Sequence, residues 1–256
     1  MRDFKIFFFK VGNGHCSYLE FPNGENAIVD LYVTDEDNHD NIINILKEAN
    51  ISRIDYLILT HPHRDHIQGL SKLKSFFNIG QFICSPVNFT PDPIYEDWKV
   101  YEQMRHKKYC ENAYEITEDW HKVIGDTRID CVAPLKKLLK EYPGYVNNNS
   151  LVLRINCRGH NIILPGDMEE FGWEYINNEK IKNSTLLLAS HHGNKNGYHN
   201  KKTKVKNPSF IVISTGKKTE HDADDRYRDH AKKGLYTTRN GRIVAKIDNK
   251  HTLHIS

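Results

Sequence analysis

Three histidines and a carboxylate crowd into one short stretch of DYLILTHPHRDHIQGL, the segment from Asp55 to Leu70 that carries His61, His63, Asp65 and His66. Imidazole and carboxylate are borderline-to-hard donors that suit Zn²⁺, Mn²⁺ or Fe²⁺, and four of them this close exceed what one tetrahedral ion takes from a single turn. If His61 and His63 point one way, a chain turning into a helix near Asp65 aims Asp65 and His66 at a second position a few ångströms off. Two ions sharing an oxygen activate water for attack on a phosphate or a carbonyl. The competing reading is a polar turn whose histidines cap a helix or face solvent. The chain holds 15 histidines, so a chance match is conceivable. Placement directly after an apolar run favours the metal.

Further groups of the same chemistry stand at the ends of other apolar runs. Asp167 closes Ile162 to Leu164, and a carboxylate has two oxygens with which to bridge two cations; capping the helix expected over 169–176 is its alternative use. His191 and His192 end the run Ser184 to Ser190. Adjacent side chains diverge, so His191, nearest the strand end, is expected to bind metal and His192 to serve as proton donor or phosphate contact; the reverse order stays open. Asn149 and Ser150 could hold a phosphate oxygen, or simply form a tight turn before a strand. Lys195 supplies a cation just beyond.

The elements that must position these groups are legible in outline. Tyr56 to Leu59 reads as a strand buried on both faces. Strands are also expected over 6–10, 16–21, 27–30, 81–84, 151–155, 161–164, 184–190 and 210–214. Helices are expected over 38–50, with Ile42, Ile43 and Leu46 on one face, over 67–77, and over 222–233. Asn240-Gly241 between two apolar runs is a hairpin signal. The region of about 86–145 breaks regular structure after Cys84 and mixes aromatics with charges, which reads as a variable insertion, helical in part, forming one wall of a cleft.

Composition sets the frame. A chain of 256 residues can bury one large core, and a single domain over 1–256 is expected. The net charge of +3 hides an asymmetry: from His191 onward there are fifteen Lys/Arg against six Asp/Glu, a balance of +9 that leaves −6 for the preceding 190 residues. A basic quarter beside a metal site would attract a polyanion, or would merely be a solvated surface. Five cysteines without ligand spacing read as buried thiols in a reducing compartment. The N-terminus is too short in its apolar part for a signal peptide, and no run approaches the length of a membrane span. The expectation is a cytoplasmic protein.

HxHxDH after a strand resembles the signature of the metallo-β-lactamase superfamily. The order of Val11-Gly-Asn-Gly14, Ile28-Val-Asp30, Asn147 to Arg154, Leu164-Pro-Gly166-Asp167 and Ser190-His191-His192-Gly193 is similar to the hydrolase domain of ComEC-type DNA-uptake proteins and their free-standing relatives. Where those relatives carry an acidic residue after the first glycine loop, His15 stands here, and the loop is read as a structural turn. The resemblance implies an αββα sandwich, an α/β fold of two mixed sheets flanked by helices. It implies Asp30 as a carboxylate beneath the ligands, orienting an imidazole through its second nitrogen. It implies Asp167 as the bridging ligand and His221, ahead of the helix that starts near Asp222, as the final one. The expected metal set is therefore His61, His63, Asp65, His66, Asp167, His191 and His221, holding two divalent ions, Zn²⁺ or Mn²⁺, with Asp65, Asp167 and His192 as the catalytic groups and Asn149, Ser150 and Lys195 on the substrate. The implied activity is hydrolysis of a phosphodiester, in nucleic acid or a nucleotide, by a metal-bound hydroxide. A lactone, thioester or β-lactam hydrolase and a non-catalytic metal-stabilised binding subunit are the alternatives.

Overall fold

A computed structural model describes residues 2–34 and 36–256. The first part of the chain forms β1 (Phe4–Phe8), β2 (Ser17–Glu20), β3 (Asn26–Val29), β4 (Leu31–Tyr32), α1 (Ile42–Glu48), β5 (Arg53–Leu59), α2 (Arg64–Ile67), α3 (Leu70–Phe76), β6 (Asn78–Cys84), α4 (Glu96–Arg105) and β7 (Ala113–Glu115). The second part forms β8 (His121–Ile124), β9 (Thr127–Ala133), α5 (Lys136–Glu141), β10 (Val152–Cys157), β11 (His160–Leu164), α6 (Glu170–Tyr175), β12 (Leu186–Leu188), α7 (Asn200–Lys206), β13 (Phe210–Ile213), α8 (Asp224–Arg228), β14 (Gly234–Thr237), β15 (Ile243–Ile247) and β16 (Leu253–Ile255).

These strands make two mixed sheets, in the order β16-β15-β1-β2-β3-β5-β6-β7 and the order β14-β13-β12-β11-β10-β9-β8. Each sheet is antiparallel in one part and parallel in the other; β3, β5 and β6 run parallel in the first, and β11 to β14 in the second. Alternation along β1 sends Phe4, Ile6 and Phe8 between the sheets, where they meet Leu153 and Ile155 of β10 and Ile162 and Leu164 of β11. The outer face of the first sheet is covered by α1, α3 and α4, and that of the second by α6 and α8, through Trp173 and Tyr227. The result is the αββα arrangement.

Local chemistry explains the helices. In α1, Ile42, Ile43 and Leu46 are fully covered, each contributing about 1.5–3 kcal/mol of burial, and Asn41 caps the start by accepting from the Asn44 amide at 3.3 Å. The single helix expected over 67–77 is broken at Gly69, whose φ of +96° is open to glycine and whose missing Cβ leaves room for Val33. Asp97 of α4 accepts from the Gly69 and Ser71 amides, both at 2.8 Å, and fixes the restart.

Two expectations are corrected. The region 86–145 is woven into both sheets, since β7 extends the edge of the first and the β8–β9 pair extends the second. These strands are short and half exposed, so they carry little apolar pattern. The pair of strands around Asn240-Gly241 is not a hairpin: β14 pairs with β13 in the second sheet, whereas β15 pairs with β1 in the first. Gly241 is extended (φ 159°) and Thr238–Asn240 is a 3₁₀ turn, so the chain crosses between the sheets.

Candidate metal centre

The donors gather where β5, β11, β12 and β13 end. Backbone bends at these ends place them: Asp30 after β3, Gly166 after β11, and both His191 and His192 after β12 have positive φ, at 56°, 55°, 50° and 54°. Non-glycine residues in this region cost roughly 1–3 kcal/mol each, and such strain collects at functional sites. It is braced here by the His191 amide donating to the Gly166 carbonyl at 3.1 Å, by the Ala223 amide donating to the Gly193 carbonyl at 2.6 Å, and by the Ser190 hydroxyl donating to the Met168 carbonyl.

Asp167, 2% exposed, stands at the middle with an oxygen toward each of two donor sets. On one side, Oδ1 is 3.1 Å from His66 Nε2 and 3.6 Å from His192 Nε2, and His192 Nε2 is 3.3 Å from Asp65 Oδ2. On the other, Oδ2 is 3.8 Å from His61 Nε2 and 3.6 Å from His191 Nε2, while His61 Nε2 is 3.1 Å from His63 Nδ1. Donors on a tetrahedron with bonds of about 2.0–2.2 Å lie roughly 3.3–3.6 Å apart; the Asp65, His66, Asp167 and His192 donor atoms scatter about that spacing and all lie within 4.8 Å of one another.

Tautomers provide the test of fit. His66 Nδ1 lies 2.8 Å from Asp30 Oδ2, and His192 Nδ1 lies 3.2 Å from the Ser214 carbonyl. Both acceptors require the proton on Nδ1, so each Nε2 presents a lone pair, and the two Nε2 atoms face one another at 3.2 Å. Two lone pairs at that separation repel unless a cation sits between them. The Thr60 hydroxyl donates to Asp30 Oδ2 at 2.8 Å and is left to accept from His61 Nδ1 at 3.1 Å, which turns His61 Nε2 outward as a donor too. The set of two imidazoles and two carboxylates, His66, His192, Asp65 and Asp167, fits a divalent ion, and His61 and His191 face the other oxygen of Asp167.

Electrostatics agree with that fit. Burial pushes the His61 and His63 imidazoles down from their ordinary value, the neutral form a ligand needs. Burial also opposes charge on His66, but the carboxylates of Asp167, Asp30 and Asp65 outweigh it and hold that imidazole well above its usual range. Asp167 resists its burial, with His66 and His192 holding it well below the usual carboxylate range. Without metal, then, a proton on His66 takes the place of the cation.

Other expected residues land differently. His192, expected as a proton donor, stands among the Asp65, His66 and Asp167 donor atoms, which lie within 4.8 Å of one another. The consecutive positive-φ residues let both histidines face Asp167, which adjacent side chains in a regular segment do not do. His221 is not brought to this group: its ring is 54% exposed beside Glu220, because Arg239 clasps Asp222 and Asp224 and turns the loop away. The Asn149 side-chain amide is spent on the Tyr142 and Tyr145 carbonyls, and Ser150 Oγ accepts from the Asp167 amide at 3.3 Å, so both shape the backbone under the site. Lys195 is exposed on the loop after Gly193.

Residues given no part in the site from sequence also stand here. Glu169 Oε1 is 3.2 Å from His191 Nδ1. Thr60 relays Asp30 to His61. His15, 3% exposed, packs 6.4 Å from the His66 ring, bonds Ser17 Oγ at 2.9 Å, and leaves Nδ1 buried without a hydrogen-bond partner. Its position where relatives carry an acid was the available signal.

Residues 10–216 match the family model described as the metallo-beta-lactamase superfamily. The chain is 27% identical over 216 residues to ComE operon protein 3 of Bacillus subtilis (strain 168), covering 82% of this chain and about a quarter (26%) of that protein. Among solved structures it is similar to the metallo-beta-lactamase fold protein YhfI from Bacillus subtilis, with TM-score 0.58, 10% identity, and coverage of 94% of this chain and 99% of that one. It is similar also to CmlA, a diiron beta-hydroxylase from Streptomyces venezuelae, with TM-score 0.59, 12% identity, and coverage of 94% and 53%.

Proposed function

The chain belongs to the metallo-β-lactamase superfamily, and from that premise we propose that it is a dinuclear metal-dependent phosphodiesterase acting on nucleic acid or nucleotides. The observation that carries this reading is the cluster of Asp65, His66, Asp167 and His192 donor atoms within 4.8 Å of one another, with His61 and His191 facing the second oxygen of Asp167. Divalent ions bound there, Zn²⁺ or Mn²⁺ by donor type, would supply Lewis acidity that acidifies water and neutralises charge on phosphate oxygens.

The protein's own residues do the rest. His61, His63 and His191 would hold one ion, and Asp65, His66 and His192 the other, with Asp167 common to both. Asp30 holds His66 in the tautomer that leaves Nε2 bare, Thr60 extends that control to His61, and the Ser214 carbonyl does the same for His192. Lys195 and the basic quarter after His191 steer a polyanion toward the site. The similarity of the motif order to ComEC-type hydrolase domains of DNA-uptake proteins supports a nucleic-acid substrate. The five cysteines, buried and unpaired among the described residues, support a cytoplasmic setting; among those residues, no helix is long and apolar enough to cross a membrane. The core shared by both sheets supports reading 1–256 as one domain.

The test is a substrate panel with purified protein reconstituted with Zn²⁺ or Mn²⁺. Labelled DNA and RNA and a generic phosphodiester should be cut, and a lactone, a thioester and a β-lactam should not. Activity confined to the second group would overturn the reading, as would equal, negligible turnover by wild type and the Asp167→Asn variant.

A further inference from the structure

A groove of about 680 Å³ opens beside the metal centre, lined among others by His63, Phe89, Tyr145, Asn147, Glu169 and Phe171. His63 is a metal donor in the arrangement above, and Glu169 stands against His191, so the groove is continuous with the place where a scissile bond would lie. Its walls are aromatic and held in place. Phe89 sits edge-on to His63 with ring centroids 4.9 Å apart. Phe171 is packed among Tyr142, Tyr145 and Tyr175 at 5.0, 5.3 and 5.3 Å. The Asn147 amide donates to Glu169 at 3.1 Å, tying the tyrosine-bearing turn to the start of α6. Yet Tyr145 keeps 50% of its surface in solvent, an aromatic face without a cover on the rim of a cleft.

The charge of this lining selects its occupant. Among the described residues no lysine or arginine lines the groove, and the one carboxylate there, Glu169, would repel a phosphate. A neutral, planar group matches the ring faces that line the groove. Resting on the phosphodiesterase reading, we infer that this groove seats an unpaired nucleobase next to the scissile phosphodiester, so that the substrate is a single strand or a frayed end. A base stacked between its neighbours inside a duplex has no free face to offer Tyr145 and Phe171; an unstacked, unpaired one does, whatever its sequence.

Equilibrium binding separates this from its rivals. Metal-loaded protein would be titrated into dye-labelled short oligothymidylate and into an abasic oligomer of the same length, both phosphorothioate-linked to slow cleavage, with anisotropy as readout. Wild type should prefer the base-bearing strand by about ten-fold or more. Tyr145→Ala should bring that ratio toward one, and Tyr145→Phe should restore it, because the ring and not the hydroxyl does the stacking. Equal binding of both oligomers by wild type, an equal loss on both in Tyr145→Ala, or displacement of oligothymidylate by a long-chain N-acyl lactone would overturn the groove assignment. Because the ratio is read without turnover, a protein that cuts no phosphodiester but keeps the preference would sink the hydrolase reading alone.

Discussion

Replacing Asp30 by asparagine changes one oxygen for an NH₂ group in a place with no water to absorb the difference. Asp30 is fully buried and accepts three hydrogen bonds: from the Thr60 amide on Oδ1 at 2.7 Å, and from the Thr60 hydroxyl and His66 Nδ1 on Oδ2, both at 2.8 Å. Asparagine has two ways to sit. With its NH₂ at the Oδ1 position it faces the Thr60 N–H, leaving opposed buried donors at a cost of about 1–3 kcal/mol. With its NH₂ at the Oδ2 position it must donate to His66 Nδ1, which drives the proton to Nε2 and removes the lone pair meant for metal. Either way the ion held by His66, His192, Asp65 and Asp167 should bind about 10–100-fold more weakly, roughly 1.4–2.7 kcal/mol. A smaller loss should reach the other ion through Thr60 and His61, and Thr60→Val should confine the loss to that ion. Competition with a chromophoric chelator reads the two affinities, and circular dichroism checks that the variant is folded. Unchanged affinities in Asp30→Asn, or a loss confined to the ion on His61, would refute the reasoning.

Other expectations follow from the same geometry. Asp167→Asn leaves one anionic donor fewer for each set and a single carbonyl oxygen to share, so bound metal by elemental analysis should fall from two ions to one or fewer per chain, with turnover reduced at least about 100-fold. His192→Ala should lose an ion, whereas His221→Ala, altering an exposed ring, should keep the full complement. His66 is raised above its unfolded value, so in metal-free protein its pairing with Asp30 and Asp167 stabilises fully below about pH 6.5 and is lost as pH climbs through the raised value. Metal must expel that proton near neutrality; calorimetry in buffers of different ionisation enthalpy should show proton release on metal binding that is reduced in His66→Ala, the remainder coming from His191, which Glu169 and Asp167 also hold above its usual value.

How much of this was legible depends on the range of the forces involved. The HxHxDH segment is local, since one buried strand and one turn deliver four donors, and both leave a mark in sequence. The two-sheet sandwich was legible from apolar runs taken together with the motif order. Three features depended on contacts far along the chain. The paired roles of His191 and His192 arise from consecutive positive-φ residues braced by Gly166 and Ala223. The outward turn of His221 comes from Arg239, which bonds Asp222 and Asp224 from another sheet connection. The Asn240-Gly241 pair carries a turn signal, but the partners for the flanking strands were already waiting in two different sheets, and that competition decided the outcome.

The return of β15 to lie against β1 has a consequence for how the molecule is born. Phe4 registers with Ile247 and Phe8 with Ile243. This second neighbour of β1, on the side away from β2, therefore leaves the ribosome only after every residue of the candidate metal centre has been made. Until then the nascent first sheet ends on an open strand whose Phe4, Ile6 and Phe8 face a half-built interior, a state that invites pairing with neighbouring chains. Closure by Ile243 to Ile255 completes this edge, and removing it should cost yield before it costs chemistry.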